Sequence, residues 1–181
     1  MKVVEEPLLR KKVVYQGRYV RTEEQTVRLP DGTEAVREIV SPPDAVGILA
    51  VDKNETVYLV RQYRPAICQI TLEIPAGIID PGETEEETAR RECEEEIGYV
   101  PGRLAFLFSY YHSVGFSTGK IAIFLATDLT PSDGPHPDAE EFLEQVALPF
   151  NALYQKAISG EIVDSKTLLA ALWYQQRLHE K

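Results

Sequence analysis

The chain has 181 residues, 44% apolar and 27% charged, which is enough to bury a core as one domain and too apolar for a disordered protein. A formal net charge of −10 excludes a broad electrostatic grip on nucleic acid, which requires Lys and Arg clustered against phosphates. Cys68 and Cys93 lack metal-ligand spacing and read as buried thiols of a reducing compartment; with no signal-peptide core in MKVVEEPLLRKK and no run of about 18 apolar residues, no membrane is expected and a cytoplasmic location is.

Between Lys12 and Val40 the pattern predicts short strands at Val13 to Tyr15, Tyr19 to Val27 and Ala35 to Val40, the last two joined by the turn Leu29-Pro30-Asp31-Gly32. Their alternation is weak and their charge high. Residues 1–43 therefore read as a strand extension that finds partners on the main body or on a second subunit, and Ser41-Pro42-Pro43 separates it from a main domain at 44–181. Ala45 to Val51 is an almost continuous apolar run, and Val57 to Tyr63 follows the turn Asp52-Lys53-Asn54-Glu55, so a buried strand and its hairpin partner are expected. A strand at Leu72 to Ile74 leads through Pro75-Ala76-Gly77 and a loop to Glu83, then a Glu-rich helix runs to about Ile97. Strands at Leu104 to Tyr111 and Lys120 to Asp128 flank the loop His112 to Gly119; a Pro- and Gly-bearing connection, Thr130 to Ala139, precedes a strand at Phe142 to Leu148. Pro149 to Ser159 and Ser165 to His179 read as closing helices, the second with Leu168, Leu169, Leu172 and Trp173 on one face.

The Glu-rich helix carries the chemistry. Thr84 and Glu87 form a capping box, and Glu85 and Glu86 suit the positive end of the helix dipole. Glu94, Glu95 and Glu96 sit at the opposite end, where the dipole is negative and Lys or Arg would be favoured. Glu92 precedes Glu95 and Glu96 by three and four residues, which puts the three carboxylates on neighbouring positions of one surface. Ala89, Cys93 and Ile97 form the buried stripe, so Glu92 and Glu96 lie along its edge and are partly shielded from water. Two readings are open on the helix alone: a solvated acidic face, or a site whose repulsion is offset by a hard cation such as Mg²⁺ or Mn²⁺.

Gly77, Glu83 after five intervening residues, Arg91-Glu92 after seven more, then Glu95-Glu96 and Gly98, match the Nudix box from Gly77 to Tyr99 at every fixed position. The chain thus resembles the Nudix hydrolases. The resemblance implies an α/β fold, the α/β/α sandwich around a mixed sheet, here with an N-terminal antiparallel strand extension. It further implies Glu92 and Glu96 as principal metal ligands, Glu95 as a further or water-mediated ligand, the Ala76 carbonyl as a backbone ligand, and two or three Mg²⁺ or Mn²⁺ ions. Arg91 resembles the residue that holds Glu83 and orients the acids. A carboxylate outside the box deprotonates the attacking water in this reading; Glu140 and Glu141 are the candidates and Glu141 is preferred.

From about residue 13 to 178 the chain looks similar to the ADP-ribose pyrophosphatases and related nucleoside diphosphate sugar hydrolases. The matching segments are Leu29-Pro30-Asp31-Gly32, Val60-Arg61-Gln62-Tyr63-Arg64, Leu72-Glu73-Ile74-Pro75-Ala76-Gly77, Gly115-Phe116-Ser117 and Asp164-Ser165-Lys166-Thr167. That branch implies cleavage of ADP-ribose or an ADP-sugar to AMP and a sugar phosphate, with Arg64 and Glu73 near the substrate, Arg37 at a phosphate and Phe116 or Tyr19 stacked on a ring. It also implies a homodimer with exchanged N-terminal strands. On the residues alone, Arg61 and Arg64 equally fit the solvent face of a strand, Glu73 a pairing with one of them, and Tyr19 and Phe116 core packing. The chain departs from the branch at Val114, where Pro is usual, and at Thr118-Gly119-Lys120, where an acid is usual. Another nucleoside diphosphate sugar, such as a GDP-linked one, and a non-catalytic nucleotide-sensing module are therefore carried as alternatives.

Overall fold

A computed structural model describes residues 3–136 and 142–178 of the chain, which divides into two compact units, 1–44 with 111–120 and 45–110 with 121–181. In the first unit β1 (Leu8–Gln16), β2 (Arg21–Arg28) and β3 (Glu34–Ser41) form an antiparallel sheet in that order. The β2–β3 turn closes as its sequence requires: Gly32 adopts a φ of 87°, and Asp31 Oδ1 accepts from the Thr33 backbone N–H at 2.9 Å. Strand β1 begins at Leu8, well before the expected Val13, and its Arg10 reaches across β2 to Glu34 of β3 at 3.0 Å. The loop of this unit runs beside β3, with Val40 N–H donating to Phe116 O at 2.7 Å and Thr118 N–H to Val40 O at 3.0 Å.

The second unit contains a seven-stranded mixed sheet: β4 (Ala45–Val51), β5 (Thr56–Arg64), β6 (Gln69–Glu73), β7 (Ala76–Ile78), β8 (Tyr99–Tyr111), β9 (Lys120–Pro131) and β10 (Glu144–Pro149). Its main order is β10-β5-β4-β9-β8, with β6 paired to β5 and β7 to β4. β4 runs parallel to β9 and antiparallel to β5, and helices cover both of its faces. Val46, Ile48 and Ala50 pack with Ala89, Cys93 and Ile97 of α1 (Glu85–Ile97); Leu49 and Val51 pack with Leu153 and Ala157 of α2 (Phe150–Ile158) and Ala170 and Ala171 of α3 (Ser165–Leu178). This is the α/β/α sandwich, and two-sided burial explains why β4 reads as an unbroken apolar run. No helix among the described residues is long and apolar enough to cross a membrane.

Four expectations need correction. Residues 76–78, expected in a loop, pair with Ala45–Gly47 as β7, a short strand recruited by its neighbour since Ala and Gly have little strand preference of their own. β8 starts at Tyr99 rather than Leu104, since Pro101 and Gly102 conceal its first part; a Cβ on Gly102 would stand 2.9 Å from Asp128 O. Helix α3 buries Lys166, Thr167, Ala170 and Ala171 and packs Leu168 against the core, while Leu169 and Leu172 are 37% and 41% exposed, so only part of the expected apolar face turns inward. Small residues let α3 lie close to the sheet, where Gly47 already has Ile123 Cδ1 only 2.9 Å from the place of a Cβ. Cys93 is buried as expected, but Cys68 is exposed in a turn with φ 53°.

If α3 is seated on its alanines, Ala170→Leu overpacks the interface and costs about 1–3 kcal/mol. Leu172→Gln then changes stability by only about 0.5 kcal/mol. Urea unfolding of the two variants separates the faces; equal losses would contradict this seating.

Candidate active site

Helix α1 starts as its sequence dictates: Thr84 Oγ1 accepts from Glu87 N–H at 3.2 Å, and Glu87 Oε2 accepts from Thr84 N–H at 2.8 Å. It ends at Gly98 in the left-handed conformation, φ 72°, with its N–H on the last carbonyls and no basic residue in the last turn. Arg91 offsets much of the acid there. Its Nε and Nη2 grip both oxygens of Glu83 at 3.0 Å, and its Nη1 donates to Glu92 Oε1 at 2.7 Å and Glu95 Oε2 at 2.8 Å. The hydrogen bond from Arg91, and then that from Thr88 Oγ1, hold the Glu83 carboxyl down to about 2. The same carboxylates push the Arg91 guanidinium further above its ordinary range, the pairing with Glu83 foremost.

Glu92 and Glu96 are only 8% and 2% exposed, so this part of the helix is not a solvated acidic face. Glu96 Oε2 accepts from the Ala76 N–H at 3.0 Å, which ties the helix to β7. Gly77 is required beside it: a Cβ there would lie 1.8 Å from Glu92 Oε1. Gln145 Nε2 caps the Glu96 carbonyl at 3.0 Å, and along the outer side of α1 runs a cavity of about 450 Å³ lined by Arg90, Arg91, Glu94, Glu95 and His136.

A second cluster surrounds Glu73, which is 1% exposed. Arg64 clamps it through two parallel bonds at 2.8 and 2.6 Å, Thr71 Oγ1 donates at 2.5 Å, and the buried Lys166 amine also donates to it. Burial pushes this carboxyl up, but the Arg64 hydrogen bonds and the Lys166 charge outweigh it and hold it at about 2. Arg61 lies on the outer side and pairs with Glu144, so of the two arginines on β5 only Arg64 reaches Glu73.

Arg37 and Phe116 belong to the first unit. The Arg37 guanidinium is engaged by Glu6 at 3.0 and 2.8 Å, and the Phe116 ring is 53% exposed. Tyr19 is exposed too, with Arg18 stacked 4.9 Å above its ring. Glu140 and Glu141 lie outside the described residues. Asp164, Lys166 and Thr167 stand out in the sequence only as a matching segment; a lysine at the start of a helix, where the dipole opposes it, was the available signal.

Among the described residues, no three His, Cys, Asp or Glu groups converge into a closed cation cage. The donor chemistry nonetheless suits a hard divalent ion: Glu92, Glu95, Glu96 and the Ala76 carbonyl offer oxygen alone, and the bare Gly77 makes room for the Glu92 carboxylate. Burial, meanwhile, pushes the Cys93 thiol on the inner face of α1 up to about 12, leaving it inert packing.

An acidic helix docked through its carboxylates onto a glycine-bearing strand of an α/β/α sandwich defines a class of site, and comparisons give it a family. The NUDIX domain profile matches residues 41–169. An ADP-ribose pyrophosphatase from Bacillus subtilis (strain 168) is 34% identical over 97% of this chain and 95% of its own length. A methanol dehydrogenase activator from Bacillus methanolicus is 33% identical over 96% of this chain and 95% of its own. A crystal structure of an ADP compounds hydrolase superposes with a TM-score of 0.88 at 24% identity, covering 99% of this chain and 97% of that one, a likeness of fold. The chain therefore belongs to the Nudix hydrolase family and is an enzyme of that class.

Because the Glu73 carboxyl falls from 4.5 to about 2 on folding, it contributes stability that is present above pH 4.5 and lost as pH falls through about 2. Urea midpoints measured between those values should fall in the parent and fall less steeply in Glu73→Gln. Parallel profiles would remove Glu73 as a contributor.

Proposed function

We propose that the enzyme cleaves the pyrophosphate of ADP-ribose or a related ADP-sugar to AMP and a sugar phosphate, using Mg²⁺ or Mn²⁺, two or three per site. The observation that carries this reading is the acidic face of α1, with Glu92 and Glu96 buried against β7 beside Arg91. When bound, such ions neutralise a diphosphate and lower the pKa of an attacking water. The protein's part is placement. Arg91 keeps Glu92 and Glu95 apart from each other's charge, the Ala76 N–H fixes one oxygen of Glu96, and the Ala76 carbonyl adds a neutral donor.

Arg64 suits the substrate's anionic portion. One edge of its guanidinium is clamped by Glu73 while its side chain remains 43% exposed, so a cation of fixed orientation faces solvent. A phosphate contact for Arg37, which would exchange Glu6 for it, ring stacking by Phe116, and proton acceptance by Glu141 belong to the same proposal and rest on the resemblance. So does the choice of adenine nucleotide, which the names of the curated relatives favour. A cytoplasmic setting agrees with two unpaired thiols, one of them exposed.

Incubation with Mg²⁺ and a panel of ADP-ribose, ADP-glucose, GDP-mannose and nucleoside triphosphates, resolved by chromatography, should release AMP and ribose 5-phosphate fastest. Glu92→Gln and Glu96→Gln should each lower kcat by more than about 100-fold. Faster turnover of a GDP-sugar would overturn the substrate, and no turnover with either metal would favour nucleotide sensing.

We also propose a homodimer in which residues 1–43 reach the other subunit. Every residue of β1 is exposed, including Leu8, Leu9, Val13, Val14 and Tyr15, an apolar display that a second copy would cover. Light scattering should give twice the 20.4 kDa chain mass, and Val14→Lys should shift it toward the monomer. A parent protein of monomer mass would refute the assembly.

A further inference from the structure

Substrate contact and metal binding leave a buried cation of α3 unused. Lys166, with 7% of its side chain exposed, lies between two carboxylates, donating to Glu73 Oε2 and, at 3.0 Å, to Asp164 Oδ1. A cation in the first turn of a helix opposes the dipole, and burying an ammonium group is costly, so neither α3 itself nor its packing calls for a lysine here. The neighbouring Thr167 is fully buried; its Oγ1 donates to Asp164 Oδ2 at 2.5 Å and accepts from the Ile74 N–H at 2.8 Å. Consecutive residues of α3 thus hold the last residue of β6, Glu73, by its side chain and the next one, Ile74, by its backbone.

Immediately C-terminal to Ile74 lies the segment on which the acidic helix rests. Ala76 donates its N–H to Glu96, and Gly77 abuts the Glu92 carboxylate. Arg64 also binds Glu73 but from the solvent side, where its side chain is 43% exposed; Lys166 binds from the interior.

We propose that Lys166 and Thr167 are positioning residues: the first turn of α3 holds residues 73–77 in the register that aims Glu92 and Glu96 into the site. The role concerns the placement of those carboxylates and rests on the metal-dependent hydrolysis proposed above. Neither residue touches substrate or the reacting atoms in this scheme.

The test compares Lys166→Met, which keeps reach and removes charge, with Thr167→Val, which keeps shape and removes the hydroxyl. Three quantities are read: kcat and KM for ADP-ribose at saturating Mg²⁺, amide hydrogen exchange of residues 74–78 in the metal-free protein, and Tm. Both variants should lose about 10- to 100-fold in kcat with KM near that of the parent. Both should also lose exchange protection at 74–78 while residues 48–51 keep theirs. Unchanged protection at 74–78, or a parent-like kcat accompanied only by a lower Tm, would overturn the positioning role. Should Lys166→Met fail to fold, Thr167→Val decides by the same readings. An inactive parent would sink the hydrolysis reading alone, and the exchange comparison would still decide the positioning.

Discussion

The structure depends on one guanidinium. Glu83, Glu92 and Glu95 all touch Arg91, the last two in the C-terminal half of α1, whose end is negative and has no basic residue in its last turn. Two like charges 4 Å apart repel by about 4 kcal/mol at an effective dielectric of about 20, comparable with a large share of a domain's net stability. Several such pairs cannot be left unbalanced. The planar fork of Arg91 answers all three carboxylates at once, which a lysine's single ammonium could not do in the same geometry. It also holds the Glu83 carboxyl well below its ordinary range.

The second requirement is close approach between helix and sheet. Glu92 and Glu96 are shielded from water only because β7 lies against them, and β7 lies there because Gly77 has no side chain to collide with Glu92. The Ala76 N–H then gives the buried Glu96 carboxylate a hydrogen-bond donor. Behind β7, α3 comes near the sheet through Ala170, Ala171 and the absence of a Cβ at Gly47. Its first turn carries the Asp164, Lys166 and Thr167 contacts to Glu73 and Ile74. The acidic helix and α3 lie on opposite faces of the sheet, yet both act on the same short stretch of chain between Glu73 and Gly77. That stretch is therefore the mechanical link between the outer faces of the sandwich and the site.

Local signals carried the parts of the fold in which neighbours in sequence decide the outcome. The capping box at Thr84 and Glu87, the left-handed stop at Gly98, the turn at Asp31-Gly32 and the unbroken apolar run of β4 each arise from steric and hydrogen-bonding rules that act within a few residues. The stripe Ala89, Cys93, Ile97 fixed which side of α1 is buried, and hence that Glu92 and Glu96 lie at its edge. The spacing from Gly77 to Gly98 identified the family because every one of its positions meets a separate physical demand. By contrast, Leu169 and Leu172 of α3 misdirected part of its inner face, since hydrophobicity alone ignores how closely a helix must approach.

The sequence by itself determined the acidic helix and the spacing of its box, which rest on capping and periodicity along the chain, and through that spacing its resemblance to the Nudix hydrolases, which implied the sandwich. Only the tertiary structure decided that Arg64 rather than Arg61 holds Glu73, that Lys166 reaches it too, and that residues 76–78 are a strand. The Lys166 contact and the β7 pairing join groups far apart in sequence, and no local preference specifies them. Glu73 and Lys166 are separated by 93 positions and meet because a strand and a helix pack face to face. Burial then makes their charges choose each other, since in a poorly polarisable interior an ion without a partner is far more costly than one that has found it.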